Sequence, residues 1–527
     1  MKIRRFQLDY ILVAVLFVLS IGLRLVNVSG VATYPDELTY WNRGILTISA
    51  NWAWRDDFMS DQPPLFIYLV AIVVAAFDSS IEAIRNISVV SGSLSAIVLY
   101  FWGKSMFNRA AGFVAGLVLA INGFSILYSK LAYIESLVIL LIISAGYLFW
   151  EGVVKQRKTT TALVGGIMLG LALDAKYMAL IAYPAIIAFV IFRRRKNEIG
   201  FRSKPFLTYI SASALVFAPI LITLIVNGKN PLLFQLFRRF LKSRAFQGYL
   251  PLDSILVQGF NNWVELLTHV SSTDPFGAFS IFPAYFVLSG VLFIVVSVYH
   301  LTAFLKGRQR ETLLLAFFAV YVVFAVSFPV RRQYYLLYAL PFYALMVGSF
   351  VSAARTKIKH IETKHLAPKV LPTLSVVFVV AILSLNMLAL PAFDANGIGA
   401  LDEIIPAMDY IDKHLVPGAY IGTLVPATFY YVGIRNLNAT VVPLFALVDH
   451  PVDVNERIQQ TPVKKVGAYK TYVFTTDVIG EFDPQFLIIT RPQYDQVFKT
   501  AMKQTVEKNY RLAMAGNVVL LFERITP

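Results

Sequence analysis

The sequence predicts a polytopic α-helical membrane protein that ends in a small soluble α/β domain. Three observations predict this. Apolar residues make up 57% of the 527 and charged residues only 15%, against about 25% charged in ordinary soluble domains. Long apolar runs recur, with short basic clusters after every second one, the pattern of spans and cytoplasmic loops. From about residue 392 the long runs give way to short β-type runs separated by turn residues.

The first apolar run, 8–28, is long enough to cross a bilayer and has no small-residue cleavage site after it, so it reads as a retained span rather than a signal peptide. Cysteine is absent, which excludes disulfides and thiolate metal sites. The formal net charge is +16, and it is uneven: residues 1–391 hold 35 basic and 17 acidic side chains, residues 392–527 hold 12 and 14. The cations of the first part sit in short loops between apolar runs, which is positive-inside patterning and argues against a nucleic-acid partner.

The basic clusters are Lys2/Arg4/Arg5, Lys104/Arg109, Lys155/Arg157/Lys158, "RRRK" at 193–196 with Arg202 and Lys204, Lys306/Arg308/Arg310, and the set from Arg355 to Lys369. With these in the cytoplasm, spans fall at about 8–28, 88–103, 110–128, 136–152, 160–174, 177–192, 206–227, 282–305, 312–328, 334–353 and 370–391. That is about 11 transmembrane helices, in a multi-pass protein of the cell membrane with its N-terminus in the cytoplasm. The run "PPLFIYLVAIVVAAF" at 63–77 is short for a span and suits an interfacial or re-entrant helix; counting it would put every later basic cluster outside. The expected division is a membrane domain over 1–391, with a first outer loop at about 29–87 and a long one at about 228–281, and an extracytoplasmic α/β domain over 392–527.

In that last part "AYIGTL" (419–424), "QFLIIT" (485–490) and "NVVLLFE" (517–523) read as buried strands, and 492–511 has helical periodicity. No glycine-rich phosphate loop is present there, so a scaffold role and an acceptor-recognition role stay open.

The same parity gathers charge on the outer face. Asp36, Glu37, Asp56, Asp57 and Asp61 lie in the first outer loop with Arg85 at its end, Lys130 and Glu135 in the second, Asp174 and Lys176 in the third. Arg238, Arg239 and His269 lie in the fourth, Arg331 and Arg332 in the fifth. Each could be a solvated loop charge, but together at span ends they point to a polar cavity opening outward. Carboxylates and fixed cations without an ATP motif suit a substrate activated in the membrane, such as a polyprenyl-phosphate sugar. Its phosphate leaves readily once cations neutralise the developing charge. One carboxylate is then needed to take the proton of the attacking hydroxyl, with Arg or Lys on the phosphate.

Four stretches in order resemble the superfamily of dolichyl-phosphate-mannose protein mannosyltransferases and aminoarabinose lipid A transferases, membrane enzymes of the GT-C fold. They are "YPDELTYW"; "DQPPLFIYLVA" followed by "AIRNISVVSG" and "VLYFWGKSMFNRAAGFVAGLVLA"; "YSKLAYIESLVILLIISAGYLF" with "GLALDAKYMALIAYPA"; and "RRQYYLLYALPFYALMVGSF". The resemblance covers about residues 8–350. It implies an inverting glycosyltransferase that moves one sugar, hexose or pentose, from a polyprenyl-phosphate donor to an extracytoplasmic acceptor: a protein hydroxyl, a lipid or a glycan. It makes Asp36 the catalytic base with Glu37 beside it, and Glu135 the second acidic residue, where better-known members have Asp. Arg331 and Arg332 would hold the lipid phosphate, with Lys176 and Arg85 as further candidates; Tyr335 would line the donor pocket and Asp61 would contribute from the second motif. That motif reads Asp61-Gln62-Pro63-Pro64 here, where aminoarabinose transferases often have Glu-Lys-Pro-Pro, so Gln62 removes a cation from the donor side. No cofactor is implied. A divalent metal would have to start from His269 and Asp61, and the six histidines lack ligand spacing.

Two other classes compete. A transporter or flippase of lipid-linked glycans predicts internal repeats and mid-membrane charges, and no repeat is visible. A block-transferring oligosaccharyltransferase predicts a Trp-Trp-Asp signature, which "NNWVELL" at 261–267 does not supply.

Overall fold

A computed structural model describes residues 5–28, 35–49, 51–52, 63–77, 80–155, 157–194, 201–226, 283–327, 337–360, 400–423, 439–445, 465–466, 469–470, 472–473, 483–490, 500–515 and 519–525. The chain divides into two compact units. The first is Met1–Val31, Met59–Val70 and Glu82–Asn396; the second is Ala32–Phe58, Ala71–Ile81 and Gly397–Pro527.

The first unit is a helical bundle. Its elements are α1 (Arg5–Leu25), the first half of the short α3 (Leu65–Ala76), α4 (Ile81–Met106), α5 (Arg109–Ile121), α6 (Gly123–Lys130) and α7 (Ile134–Phe149). A π-helical turn (Trp150–Lys155) prolongs α7, and α8 (Thr159–Ala175) follows. A 3₁₀ turn (Tyr177–Ile181) then leads into α9 (Ala182–Arg194), α10 (Lys204–Val226), α11 (Pro283–Leu305), α12 (Gln309–Ser327) and α13 (Leu340–His360). Every span expected up to 334–353 coincides with one of these helices or a consecutive pair, and 370–391 lies outside the described residues. Among the described residues four helical stretches are long and apolar enough to cross a membrane, Gln7–Leu25, Ile81–Met106, Ile134–Lys155 and Lys204–Thr223. The bent pair α5–α6 makes a fifth. The 12 residues of α3 reach only about 18 Å at 1.5 Å per residue, as its short apolar run predicted.

Apolar side chains point outward from the bundle. Tyr10, Val15 and Val18 on α1 and Leu215, Ile225 and Val226 on α10 are all exposed, which is stable only against hydrocarbon. Between helices the hydrophobic effect gives little drive in lipid, and close packing of small residues replaces it. A Cβ on Gly112 of α5 would lie 2.2 Å from the Tyr100 carbonyl of α4, and one on Gly348 of α13 would lie 2.3 Å from the Ala111 carbonyl of α5. Gly166 of α8 meets the Tyr209 carbonyl of α10 in the same way at 2.2 Å. An aromatic cluster locks α4, α12 and α13: Phe342 stacks on Phe317 at 4.8 Å and Tyr321 at 5.5 Å, with Trp102 edge-on at 5.9 Å.

Polar ties close the end of the bundle that carries the basic clusters. Asp9 of α1 accepts from Lys104 of α4 at 2.8 Å and from Arg109 of α5 at 2.7 Å, and it also takes the Tyr100 hydroxyl. Nearby in sequence, Glu151 on the π turn accepts from Ser105 and from Lys155 at 3.1 Å.

The second unit contains α2 (Pro35–Ser49), α14 (Ala400–His414), α15 (Thr500–Asn509) and a mixed sheet. Its strands are β1 (Ala419–Thr423), β2 (Ala439–Phe445), β5 (Tyr472–Val473), β6 (Phe486–Thr490), β7 (Tyr510–Ala515) and β8 (Val519–Arg524), in the order β5-β2-β1-β6-β8-β7. β3 (Lys465–Val466) and β4 (Tyr469–Lys470) form a separate hairpin. β5, β2, β1 and β6 run parallel, while β8 and β7 are antiparallel additions. The three expected strands are β1, β6 and β8, and α15 is the helix expected within 492–511. Phe486–Ile489 on β6 and Met408 and Ile411 on α14 are fully buried, so α14 lies over the β6–β8 core. Gly418 takes φ +84 at the turn into β1, a conformation side chains resist.

Candidate functional site

In the first unit the site begins where α6 ends and α7 starts. Tyr133 caps α7 without a side-chain hydrogen bond, so Glu135 in the first turn faces unsatisfied N–H groups and the positive end of the helix dipole. Across from it α8 ends at Ala175, and Lys176 leaves the helix in an extended conformation, φ −155 and ψ 131. That break frees the Lys176 side chain to donate to Glu135 Oε1. Glu135 is 1% exposed and Lys176 8%, and a pair so sheltered is held in place rather than solvated. Glu135 Oε2 has no hydrogen bond among the described residues, nor has Asp174 Oδ1 two residues before Lys176. Acceptor oxygens are thus held ready at the ends of α7 and α8.

Lys130 and Arg85 are also buried in this unit. Arg85 donates from Nη1 to the Val28 carbonyl at 2.7 Å, tying α4 to the end of the first span. One turn on, Ser88 donates to the Tyr133 carbonyl at 2.8 Å and fixes the turn before Glu135. So the structure brings Glu135 and Lys176 into direct contact and sets Arg85 on the helix that anchors their turn.

Asp36 and Glu37 belong to the second unit. They lie in the first turn of α2, directly after Pro35, where a fixed φ and two carboxylates favour a helix start. Glu37 is fully buried, Asp36 is half-buried, and Tyr40 and Trp41 are buried on the next turn. Within the stretch expected as the first outer loop, the proline starts a helix that carries the acid pair. Asp61, Arg331, Arg332 and Tyr335, with His269, lie outside the described residues. Among the described residues no group of three or more His, Cys, Asp or Glu could hold a metal ion.

Residues 61–223 match the profile of the family described as dolichyl-phosphate-mannose-protein mannosyltransferase. No curated protein matches the chain in sequence. Among solved structures, ArnT from Cupriavidus metallidurans bound to undecaprenyl phosphate superposes with a TM-score of 0.60 at 11% identity, over 97% of this chain and 98% of that one. An Archaeoglobus fulgidus oligosaccharyltransferase in the apo form gives 0.56 at 15% identity, over 92% and 70%. AglB from the same organism, in complex with an inhibitory peptide and a dolichol-phosphate, gives 0.55 at 14%, over 95% and 72%. The chain shares the GT-C fold of these structures. The matched segment carries Arg85, Lys130, Glu135, Asp174 and Lys176, so the buried pair lies inside the part that the family profile recognises.

One residue of this bundle escaped the pattern of outer-face charges. Arg24, inside the first span, is fully buried. Its signal in the sequence is a cation within an apolar run, four residues after Ser20, which a window average hides.

Proposed function

We propose that this protein is an inverting membrane glycosyltransferase that moves one sugar from a polyprenyl-phosphate donor to an acceptor hydroxyl outside the cell membrane. Support comes from the fold likeness over nearly the whole chain to an ArnT holding undecaprenyl phosphate. The mannosyltransferase profile over residues 61–223 adds to it. These likenesses lend nothing to the transporter reading.

In this reading Asp36 is the general base. The acceptor oxygen forms a bond to the anomeric carbon as the bond from that carbon to the phosphate oxygen breaks. The acceptor proton goes to the Asp36 carboxylate, and the lipid monophosphate departs with the electron pair. A single displacement inverts the anomeric centre. Arg331 and Arg332, with Lys176 and Arg85, take the charge that grows on phosphate. Glu135 orients Lys176 and offers its second oxygen to the acceptor. Tyr335 and Asp61 line the donor side. The domain at 392–527 sits outside the membrane and serves as scaffold or acceptor recognition.

The test is transfer by the purified full-length protein in proteoliposomes, using polyprenyl-phosphate sugars of defined anomeric configuration. The expected result is one sugar moved per turnover with the opposite configuration in the product. Lipid translocation without transfer would overturn the reading.

A further inference from the structure

The helix α1 faces lipid over much of its length, yet its last turn holds Arg24 with no exposed surface. A cation inside a span is costly and is kept where it holds something. Among the described residues Arg24 has no carboxylate partner: Nη1 and Nη2 donate to neutral oxygens, and the buried Nε makes no hydrogen bond. Nη1 donates to the Ala120 carbonyl at 3.0 Å and to Ser20 Oγ at 2.7 Å and its carbonyl at 3.1 Å. Nη2 donates to the Leu119 carbonyl at 3.3 Å and to Ser125 Oγ at 2.9 Å.

Those partners straddle a break. Leu119 and Ala120 are in the last turn of α5, where carbonyls are left open and the helix dipole is negative. Ser125 is in the first turn of α6, beyond Asn122, and the two helices bend by 56° there. Asn122 caps α6 by accepting from the Ser125 N–H at 2.9 Å, but it does not reach back to close α5. Arg24 does both. Gly92 on α4 leaves the room: a Cβ there would stand 2.2 Å from Ser129 Oγ and 2.9 Å from Arg24 Nε. From α6 the tie passes onward, because Ser129 Oγ and Ser136 Oγ are 3.2 Å apart and Ser136 adjoins Glu135. A cavity of about 10 Å³, lined by Ser95, Ser125, Ser129 and Ser136 and by apolar residues such as Leu119 and Ile139, lies in the seam, room for a single water.

We propose that Arg24 is a positioning residue: by clamping the α5–α6 break it fixes α6, the first turn of α7 and thereby the Glu135–Lys176 pair. Its catalytic consequence rests on the sugar-transfer reading; its clamping of the break does not. The chain has no cysteine, so Ala110→Cys with Phe124→Cys introduces two unique sites for spin labels across the bend. In the full-length protein, Arg24→Met is expected to broaden or shift the label–label distance distribution, and Arg24→Lys to restore it in part. On transfer, Arg24→Met is expected to lower kcat by about tenfold or more with little change in donor KM, the signature of a misplaced group. The same substitution on a Glu135→Gln background is expected to cost no more than about a further twofold, since coupled residues are non-additive. Ser125→Ala, which deletes one acceptor, is expected to act in the same directions more weakly, and it serves if Arg24→Met does not fold. An unchanged distance distribution overturns the clamp, and a full loss on the Glu135→Gln background overturns the positioning role. Absence of transfer by the unmodified protein would remove the sugar-transfer reading while the distances still decide the clamp.

Discussion

Glu135 and Lys176 form a buried ion pair. Breaking a buried pair by deleting one partner strands the other charge, at a cost of roughly 3–5 kcal/mol, while removing both costs far less. Lys176→Met should therefore lower the thermal unfolding temperature of the detergent-solubilised protein clearly, and Lys176→Met combined with Glu135→Gln should regain most of it. Equal losses for the single and double variants would mean that the pair is not coupled. Residues of this kind were partly legible. The acidic and basic side chains at span ends stand out because everything around them is apolar. The contact between Glu135 and Lys176 did not, because it depends on α8 stopping at Ala175, where no proline or glycine signals an end. Arg24 was hidden for a different reason: one cation in the apolar run 8–28 barely moves its mean hydropathy.

Helices in lipid are held by close approach, and the small residues mark where. Gly348→Ala would put a methyl group 2.3 Å from the Ala111 carbonyl, so α13 must move off α5. Overpacking of this sort costs about 1–3 kcal/mol, and the expected result is a lower unfolding temperature; unchanged stability would show that the two helices do not pack there. The sheet has its own weak point. Glu523 on β8 is sheltered, which alone would raise its pKa, but Arg511 Nη2 at 2.7 Å and the Tyr410 hydroxyl at 3.0 Å hold it below the ordinary carboxylate value. A lowered folded-state pKa gives stability that is complete above the unfolded value, near 4.3, and lost as pH falls through the folded one. Hydrogen exchange of β7 and β8 should therefore quicken below about pH 4, and Glu523→Gln should flatten that dependence. The three strands read from sequence were legible as apolar runs. β2 was not, because Pro443 sits within it. Among the described residues β5 pairs with Leu444 and Phe445 and not with Pro443, whose missing N–H is tolerated there.

The positions of Lys and Arg set the expected order of spans, since parity in a multi-pass protein leaves little freedom. The helices found up to α13 follow that order, with the Asp9–Lys104–Arg109 cluster at one end of α4 and the Arg85 and Ser88 anchors at the other. Sidedness can be checked with introduced thiols. Val416→Cys, exposed at the end of α14, should react with an impermeant maleimide on intact cells, and Arg308→Cys between α11 and α12 should react only after lysis. The reverse pattern would invert the topology and place the acid pair in the cytoplasm. What sequence could not resolve is how the acid pair groups with other segments: Ala32–Phe58 and Ala71–Ile81 go with the C-terminal residues, not with the helices that flank them. Such grouping depends on contacts between segments far apart in the chain.

The central claim is that Asp36 takes the acceptor proton in a polyprenyl-phosphate sugar transfer. It is tested most directly by the turnover of Asp36→Asn beside the unmodified protein, with donor binding measured on both. The amide is nearly the same size and cannot accept the proton, so turnover should fall by about 10²–10⁴-fold while donor binding stays within about threefold, as for an interaction made only in the transition state. Undiminished turnover by Asp36→Asn would contradict the account.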